Sequence, residues 1–235
     1  KKFRWTKNIN EQIIGNISEG DFFKNNKYQM LFNSSKNIYL IDRNGDDVKP
    51  FPIKINGETK VGHSLFDYNK SKRYRIMLPL NNNSILNINS KGKKVIGWKY
   101  SGKNIINQKL SHFMYDSKDY IVSSSDKEIN LLARDGKSRL SFTSQSSLNS
   151  INNITIDNNG NLLTLTKENK LFICNLDGTS NTLTLSSLDS SSLITYDKNK
   201  ENLLFSNNNL LIILDKDFNE ISNRSFNDKI IHIQV

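Results

Sequence analysis

Three histidines are the side chains of this 235-residue chain best suited to binding a transition metal. His63, His112 and His232 occur in three similar apolar segments, GHSLFDY, SHFMYD and IIHIQV. If these segments are corresponding strands of a repeated fold, the imidazoles could converge and hold zinc. Each imidazole could instead fill a half-buried strand position of its own. We favour the second interpretation and predict no metal site.

One acidic loop raises the question of calcium. In Asp42–Asp47, DRNGDD, oxygen-bearing side chains alternate ahead of Gly45, as they do at the start of a calcium loop. The twelfth position counted from Asp42 is Ile53, where such loops carry Glu. Asp and Asn before Gly are also the residues that a hairpin turn uses. A calcium site and an ordinary turn both stay open here, and we favour the turn.

Cys174 is the single cysteine, so the chain has no internal disulfide. Its place in LFICNL predicts a buried, small apolar residue, and no candidate base lies near it in sequence. The sequence contains no Gly-rich phosphate loop, no paired-carboxylate pattern and no nucleophile elbow. We therefore predict no catalytic residue, no cofactor-binding residue, no cofactor and no enzymatic activity.

The elements that would position these residues belong to a unit that occurs five times. Each unit has an apolar strand, a tight turn and a second strand: IYLIDRNGDDV, ILNINSKGKKV, INLLARDGKSRL, LFICNLDGTSNTL and LIILDKDFNEI. The turns are marked by Gly45, Gly92, Gly136, Gly178 and Phe218, at intervals of 47, 44, 42 and 40 residues. Gly suits a turn position with positive φ, so we expect Asn219 to take that conformation in the fifth unit, or a different turn type there.

Each repeat contains four strand-like segments, which at this period is typical of a β-propeller blade. In the second repeat they are GHSLFDY, YRIMLPL, SILNIN and KKVIGWKY. In the first, Pro50 and Pro52 predict that VKPFPIKI is an outer edge, because proline cannot donate to a strand ladder. We predict an all-β, single-domain β-propeller of four-stranded antiparallel blades. Its five complete blades span approximately 9–56, 57–101, 102–146, 147–186 and 187–226.

The two ends of the chain predict a partial blade. Residues 1–8, KKFRWTKN, match a fourth strand, and KIIHIQV within 227–235 matches a first strand. Because the two strands between them would be missing, we expect the chain to be part of a longer polypeptide; the alternative is a sixth blade with only two strands.

Composition limits the classes of partner. The net charge is +10, with 36% hydrophobic and 24% charged residues. Two basic stretches, Lys91–Lys94 and Lys70–Arg73, fall in turns and lack interleaved aromatics, so we expect no nucleic-acid partner. No run of 18 apolar residues occurs, and we predict no transmembrane segment.

The stretch NIYLIDRNGDDVKPFPIKI, with FDYNKSKRYRIMLPLNNNSILNINSKGKKVIGWKY, resembles propeller repeats of Bacteroidota envelope proteins. More broadly, it is similar to PQQ-like and WD-type propellers, although the WD dipeptide and the tryptophan docking motif of quinoprotein blades are absent. The resemblance covers almost the whole chain. It implies a scaffold in a cell-envelope complex, because PQQ-like propellers include non-catalytic subunits of the outer-membrane assembly machinery.

Two functions follow as hypotheses. The first is a non-catalytic scaffold that binds other proteins within a membrane-associated complex for outer-membrane assembly or secretion. Its expected compartment is the periplasm or the outer membrane, with the cytoplasm as the alternative. The second is a ligand-binding or enzymatic propeller with a site at the mouth of the central channel. The second would use His63, His112 and Asp67, which lie in or beside predicted first strands. We favour the first.

Overall fold

The computed structural model of the chain describes residues 5–149, 154–185 and 188–233. In these residues it contains β-strands joined by turns, and no helix there has the length and apolar character needed to cross a bilayer. The strands form five antiparallel sheets that follow one another along the chain. Neighbours in sequence are neighbours in each sheet, as the repeats predict.

The first two sheets lie within the first 89 residues. The first has the order β1-β2-β3-β4: Ile14–Gly20, Gln29–Asn33, Asn37–Ile41 and Ile53–Lys54. Within it β4 is the outer edge, as the prolines predict, although it is only two residues long and follows two cis peptide bonds, at Lys49–Pro50 and Phe51–Pro52. The second sheet has three strands, β5-β6-β7: Ser64–Phe66, Arg75–Pro79 and Ile85–Asn89.

The other three sheets each have four strands. The third is β8 (Ser111–Tyr115), β9 (Lys118–Ser124), β10 (Glu128–Leu132) and β11 (Ser138–Thr143). The fourth is β12 (Thr155–Ile156), β13 (Leu162–Leu165), β14 (Leu171–Cys174) and β15 (Ser180–Leu183). The fifth is β16 (Leu193–Asp197), β17 (Asn202–Asn207), β18 (Leu210–Leu214) and β19 (Glu220–Ser225). Part of the predicted strand INNITID, at 151–153, lies outside the described residues, as do 186 and 187 at the predicted fourth boundary.

The missing fourth strand of the second sheet corrects the prediction for KKVIGWKY. This segment makes one isolated bridge, between Ile88 and Lys94, and then leaves β7. The departure occurs at Ile96, which is fully exposed, and at Gly97, whose φ is +83°. A glycine inside a strand pattern interrupts pairing in this way because it readily adopts backbone angles that a ladder does not accept.

The turn in the fifth repeat is also a correction. Phe218 itself has a φ of +63°, the left-handed conformation that was expected of Asn219. Its N–H donates to the carbonyl of Asp215 at 3.1 Å, and the equivalent bond in the first repeat, from Gly45 to Asp42, is 3.0 Å long. The turn type is therefore preserved, and the phenylalanine adopts the conformation that the turn requires.

The turn glycines lie against bulky side chains that precede their own repeats. An added Cβ on Gly45 would lie 2.9 Å from the Trp5 ring, and one on Gly136 would lie 3.0 Å from the Trp98 ring. The equivalent neighbours of Gly92 are Pro50 and Ile53, and that of Gly178 is Leu140. Trp5 and Trp98 thus hold two of the five turns, although the quinoprotein docking motif is absent from the sequence.

The predicted terminal strands are absent from the described residues. Residues 5–13 and 226–233 contain no strand, while 1–4, 234 and 235 lie outside the described part. Instead of pairing its backbone, the N-terminal segment covers the first turn with side chains. The Trp5 indole N–H donates to the carbonyl of Arg43 at 2.8 Å, and Lys7 forms an ion pair with Asp47 at 3.0 Å.

The chain divides into two compact units, Lys1–Ser125 with Asn130–Arg139, and Asp126–Ile129 with Leu140–Val235. The first unit contains two apolar clusters, one around Leu40, Phe51 and Leu78 and one around Met77, Ile121 and Leu132. The second unit contains a cluster around Leu165, Phe205 and Leu214. The prediction of a single domain stays a prediction.

Candidate functional site

His63 lies immediately before β5 and is almost completely buried. Its Nδ1 lies 3.1 Å from Asn33 Oδ1 and its Nε2 lies 2.9 Å from Ser18 Oγ. Burial, with a smaller contribution from the charge of Lys109, lowers the pKa of His63 from 6.5 to about 4. Both ring nitrogens therefore have partners in the first sheet, and the imidazole is neutral near pH 7.

His112 is the centre of a separate cluster in the same unit. Its Nε2 lies 2.7 Å from Asp119 Oδ1, and its ring packs edge-on against Tyr68 with 4.8 Å between centroids. Arg134 forms an ion pair with the other oxygen of Asp119 and lies 4.7 Å above the Tyr68 ring. Arg134 also donates to Asn69 at 2.8 Å. These contacts join β8, β9 and the turn after β10 to the turn after β5.

The electrostatics of this cluster favour a charged Asp119 beside a neutral Tyr68. Burial acts to raise the pKa of Asp119, but the hydrogen bonds from His112 and Arg134 outweigh it and the pKa is lowered. Burial raises the pKa of Tyr68 to about 12. A His–Asp pair of this kind can orient an imidazole for proton transfer. Here the imidazole also packs against the rings of Phe66 and Tyr68, so the geometry is that of a cross-link between elements.

The structure gives the third histidine and Asp67 different surroundings. His232 is exposed and lies outside any strand. The Asp67 carboxylate accepts the backbone N–H groups of Ser71 and Lys72, at 2.9 and 2.7 Å, and so closes its own turn. Among the residues the structure describes, no group of three or more His, Cys, Asp or Glu side chains could hold a metal ion.

The acidic loop Asp42–Asp47 is a hairpin turn held by its first carboxylate. Asp42 Oδ1 accepts the N–H groups of Asn44 and Asp46 at 2.8 and 3.0 Å. The same pair of bonds occurs at Asp215, with Asp217 and Asn219 as donors. Turn geometry alone therefore accounts for the position of Asp42.

Cys174 is completely buried at the end of β14, as predicted. Burial raises the pKa of its thiol, which keeps the sulfur protonated and unreactive near neutral pH.

A feature that the sequence did not single out is a groove beside β7. The groove, hereafter the β7 groove, has a volume of about 430 Å³ and lies within the first compact unit. It exists because the chain leaves β7 after Val95. Residues from β4, from β7 and from the departing segment line it, among them Ile53, Lys54, Ser84, Asn87, Lys94 and Trp98.

The backbone of β7 is only partly paired on the side of the groove. In this ladder the backbone N–H and C=O groups of Leu86 and Ile88 point towards β6. Those of Ile85 and Asn87 point outward, towards the groove. The carbonyl of Asn87 accepts the N–H of Val95 at 3.0 Å, and that of Ile85 accepts the Trp98 indole N–H at 3.1 Å. Within the described part of the chain, neither outward N–H has a backbone acceptor.

Asn87 also carries an unsatisfied side chain. The residue is only 4% exposed, and no partner for its Oδ1 exists among the residues described. Aligned on the turn, the same position holds Leu40, Leu131, Ile173 and Ile213 in the other repeats. A buried amide oxygen without a hydrogen bond costs about 1–3 kcal/mol. Asn87 is therefore unfavourable for the stability of the isolated chain.

The comparisons with known proteins identify the fold. No protein-family model and no curated protein matches this chain. A crystal structure of BBS1N in complex with ARL6DN, soaked with lead, matches with a TM-score of 0.67 and 7% identity, over 91% of this chain and 67% of that chain. The corresponding structure soaked with mercury matches with a TM-score of 0.65 and 8% identity, over 94% of this chain and 83% of that chain. BBS1N is a β-propeller, and the likeness confirms that this all-β chain has the β-propeller fold.

Proposed function

We propose that this chain is a non-catalytic β-propeller that binds other proteins. The observation that carries the proposal is the β7 groove, where two backbone N–H groups of a strand edge lack backbone acceptors and the buried amide oxygen of Asn87 lacks a donor in the described residues. An unpaired strand edge is a site at which another chain can add. The solved BBS1N structures, which share the fold, are complexes with ARL6DN and give a precedent for a propeller bound to a protein.

The setting that we propose is a bacterial cell-envelope complex for outer-membrane assembly or secretion, in the periplasm or at the outer membrane. Its support is the resemblance of the repeats to envelope propellers. A fold hosts many functions, so this setting is to be tested with the protein in its own cell.

The test is affinity purification of the tagged full-length protein from the membrane fraction of its native host, followed by mass spectrometry. The proposal expects a small set of proteins in stoichiometric amounts, and the same set when one of them carries the tag. Envelope proteins in that set would support the proposed setting. A monomer without stoichiometric partners would contradict the protein-binding function itself.

A further inference from the structure

We infer that the β7 groove receives an extended, acidic peptide segment of a partner protein, which lies along β7 and accepts its unpaired N–H groups. The inference rests on the proposed protein-binding function and specifies the site and the chemistry of the partner. It follows from the backbone of β7, the side chain of Asn87 and the charge around the groove.

The backbone provides the positions for an added strand. The second sheet has three strands, and its edge β7 is five residues long. The bridge between Ile88 and Lys94 includes the bond from the Val95 N–H to the Asn87 carbonyl, and the Trp98 indole N–H occupies the Ile85 carbonyl. The outward N–H groups of Ile85 and Asn87 have no backbone acceptor among the described residues. Carbonyls of a peptide lying along β7 could accept these two N–H groups, which is part of the bonding used in strand addition.

The lining of the groove follows β7 over consecutive residues, from Ser84 to Ile88. Its lining includes side chains from both faces of β7, with Leu86 and Ile88 on one face and Ile85 and Asn87 on the other. The groove therefore passes around the edge of the strand. A bound strand would direct alternate side chains to these two faces.

Asn87 points to an occupant that donates a hydrogen bond. Four repeats place Leu or Ile at this position, and only the repeat with the open edge places an amide there. The amide oxygen is buried and lacks a donor in the part of the chain that the structure describes. A donor from a bound peptide would satisfy it, which gives a reason for a polar side chain at a core position.

The charge around the groove favours an acidic peptide. The described lining residues include two lysines, Lys54 and Lys94, and no carboxylate. Both lysines are exposed, and neither forms an ion pair with another described residue. Lysine beside a strand edge also discourages aggregation, but that role does not require the buried amide of Asn87.

The test uses the 235-residue chain and random nine-residue peptides displayed on phage as the probe. We expect enrichment of peptides with alternating apolar residues and at least one Asp or Glu. The best peptide, synthesised with a fluorescent label, then gives a dissociation constant by anisotropy. Backbone hydrogen exchange, measured with and without saturating peptide, locates the contact. We expect the backbone N–H of Asn87 to exchange at least tenfold more slowly in the bound chain than in the free chain.

Two groove variants separate binding from stability. Asn87→Leu restores the residue type of the other repeats, so it should raise the urea midpoint of the free chain while weakening the peptide at least tenfold. Lys54→Glu with Lys94→Glu should also weaken the peptide at least tenfold. The matched control is Lys91→Glu with Lys93→Glu, an equal charge change at exposed positions of the same turn that do not line the groove. It should change the affinity less than threefold.

The inference would be overturned if no peptide were enriched. It would also be overturned if neither groove variant weakened peptide binding, or if the control variant weakened it as much as the groove variants do. The same variants separate this inference from the proposed function. If partners purify stoichiometrically with the native protein and also with Asn87→Leu, the function stands and the groove is not its site. If no stoichiometric partner purifies with the native protein, the function itself fails.

Discussion

At the scale of residues, His63 makes the folded chain sensitive to acid. The imidazole is buried against Asn33 and Ser18, and its pKa is about 4 in the folded chain against 6.5 as a free side chain. Because the folded pKa is lowered, the unfolded chain binds more protons between these two values. The free energy of unfolding therefore falls as the pH falls through this window.

We predict that His63→Gln reduces the pH dependence of stability. Between about pH 7.5 and about pH 4.5, the native chain should lose about 2–3 kcal/mol more of its free energy of unfolding than the variant does. Urea denaturation at a series of pH values measures this difference. His232→Gln is the control, because it removes an exposed imidazole. Parallel pH profiles of the native chain and His63→Gln would contradict the prediction.

Single residues were predictable from the sequence where their pattern was local. The burial of Cys174 followed from its apolar neighbours and is confirmed. The substitution of Asn87 for Leu or Ile was visible in the aligned repeats. Its missing hydrogen bond was not, because that depends on where the chain goes after Val95. The pairing of Asp119 with both His112 and Arg134 likewise depends on the packing of separate strands.

At the scale of elements, the open edge of β7 has a direct consequence for backbone dynamics. The backbone N–H groups of Leu86 and Ile88 point towards β6, whereas the backbone N–H of Asn87 points towards the groove. We predict that in the free chain the backbone N–H of Asn87 exchanges with solvent at least tenfold faster than the backbone N–H groups of Leu86 and Ile88. The reason is that exchange requires hydrogen bonds to open, and the Asn87 N–H has no backbone acceptor in the described residues. NMR-detected hydrogen exchange measures all three rates. Equal protection of the three amides would show that the edge is closed in solution.

The packing of the turn glycines gives a second prediction, because two glycines share a conformation but differ in surroundings. Gly136 and Gly97 have φ values of +85° and +83°. A Cβ on Gly136 would lie 2.8 Å from the Tyr100 backbone nitrogen and 3.0 Å from the Trp98 ring, whereas one on Gly97 would meet nothing within 4 Å. Gly97→Ala should cost about 1 kcal/mol for backbone strain alone. Gly136→Ala should cost about 2–4 kcal/mol, because overpacking adds to the strain.

Chemical denaturation of the two variants measures the difference directly. Gly97→Ala serves as the control for left-handed strain. Similar losses of stability in the two variants would mean that the Trp98 contact contributes little to holding the turn.

Elements were predictable to the extent that hydrophobic alternation and turn residues determine them. The inner strands and the turns follow the repeat, since both are set by short stretches of sequence. The outer strands follow it less well. KKVIGWKY alternates like a strand, but Gly97 and the packing of Trp98 against Gly136 direct it away from β7. Whether strand pairing with β7 or side-chain packing determines the path of this segment cannot be judged from the segment alone.

At the scale of the whole molecule, the net charge of +10 is spread along the chain. Several lysines are paired with carboxylates, including Lys7 with Asp47, Lys36 with Glu58 and Lys167 with Asp126. We predict that the chain binds poly-uridine RNA more weakly than about 0.1 mM at physiological salt, because few adjacent phosphates could be neutralised together. Fluorescence anisotropy measures the affinity. Micromolar binding that falls steeply with added salt would contradict this prediction.

The fold class was predictable because the same unit is repeated five times, and a repeat constrains a fold more strongly than any single segment does. The likeness to BBS1N confirms it at an identity of 7%. The partner was not predictable in the same way. The binding site that we infer lies where the second repeat departs from the pattern of the others, and that departure has no counterpart elsewhere in the chain to be compared with.

The close contact between Gly45, Gly92 or Gly136 and the bulky side chains before each of them limits which blades can be exchanged. Gly136 leaves space for Trp98, whereas the fifth turn fills its own space with Phe218, which packs in the cluster that includes Leu183. A transplant of the fifth blade to follow the second would bring Phe218 against Trp98. Gene duplication or recombination that shuffled blade order would thus create steric conflict at the joints. The size of each tightly packed turn residue therefore matches the side chain that contacts it from the preceding repeat. A change in one member of such a pair is expected to require a change in the other.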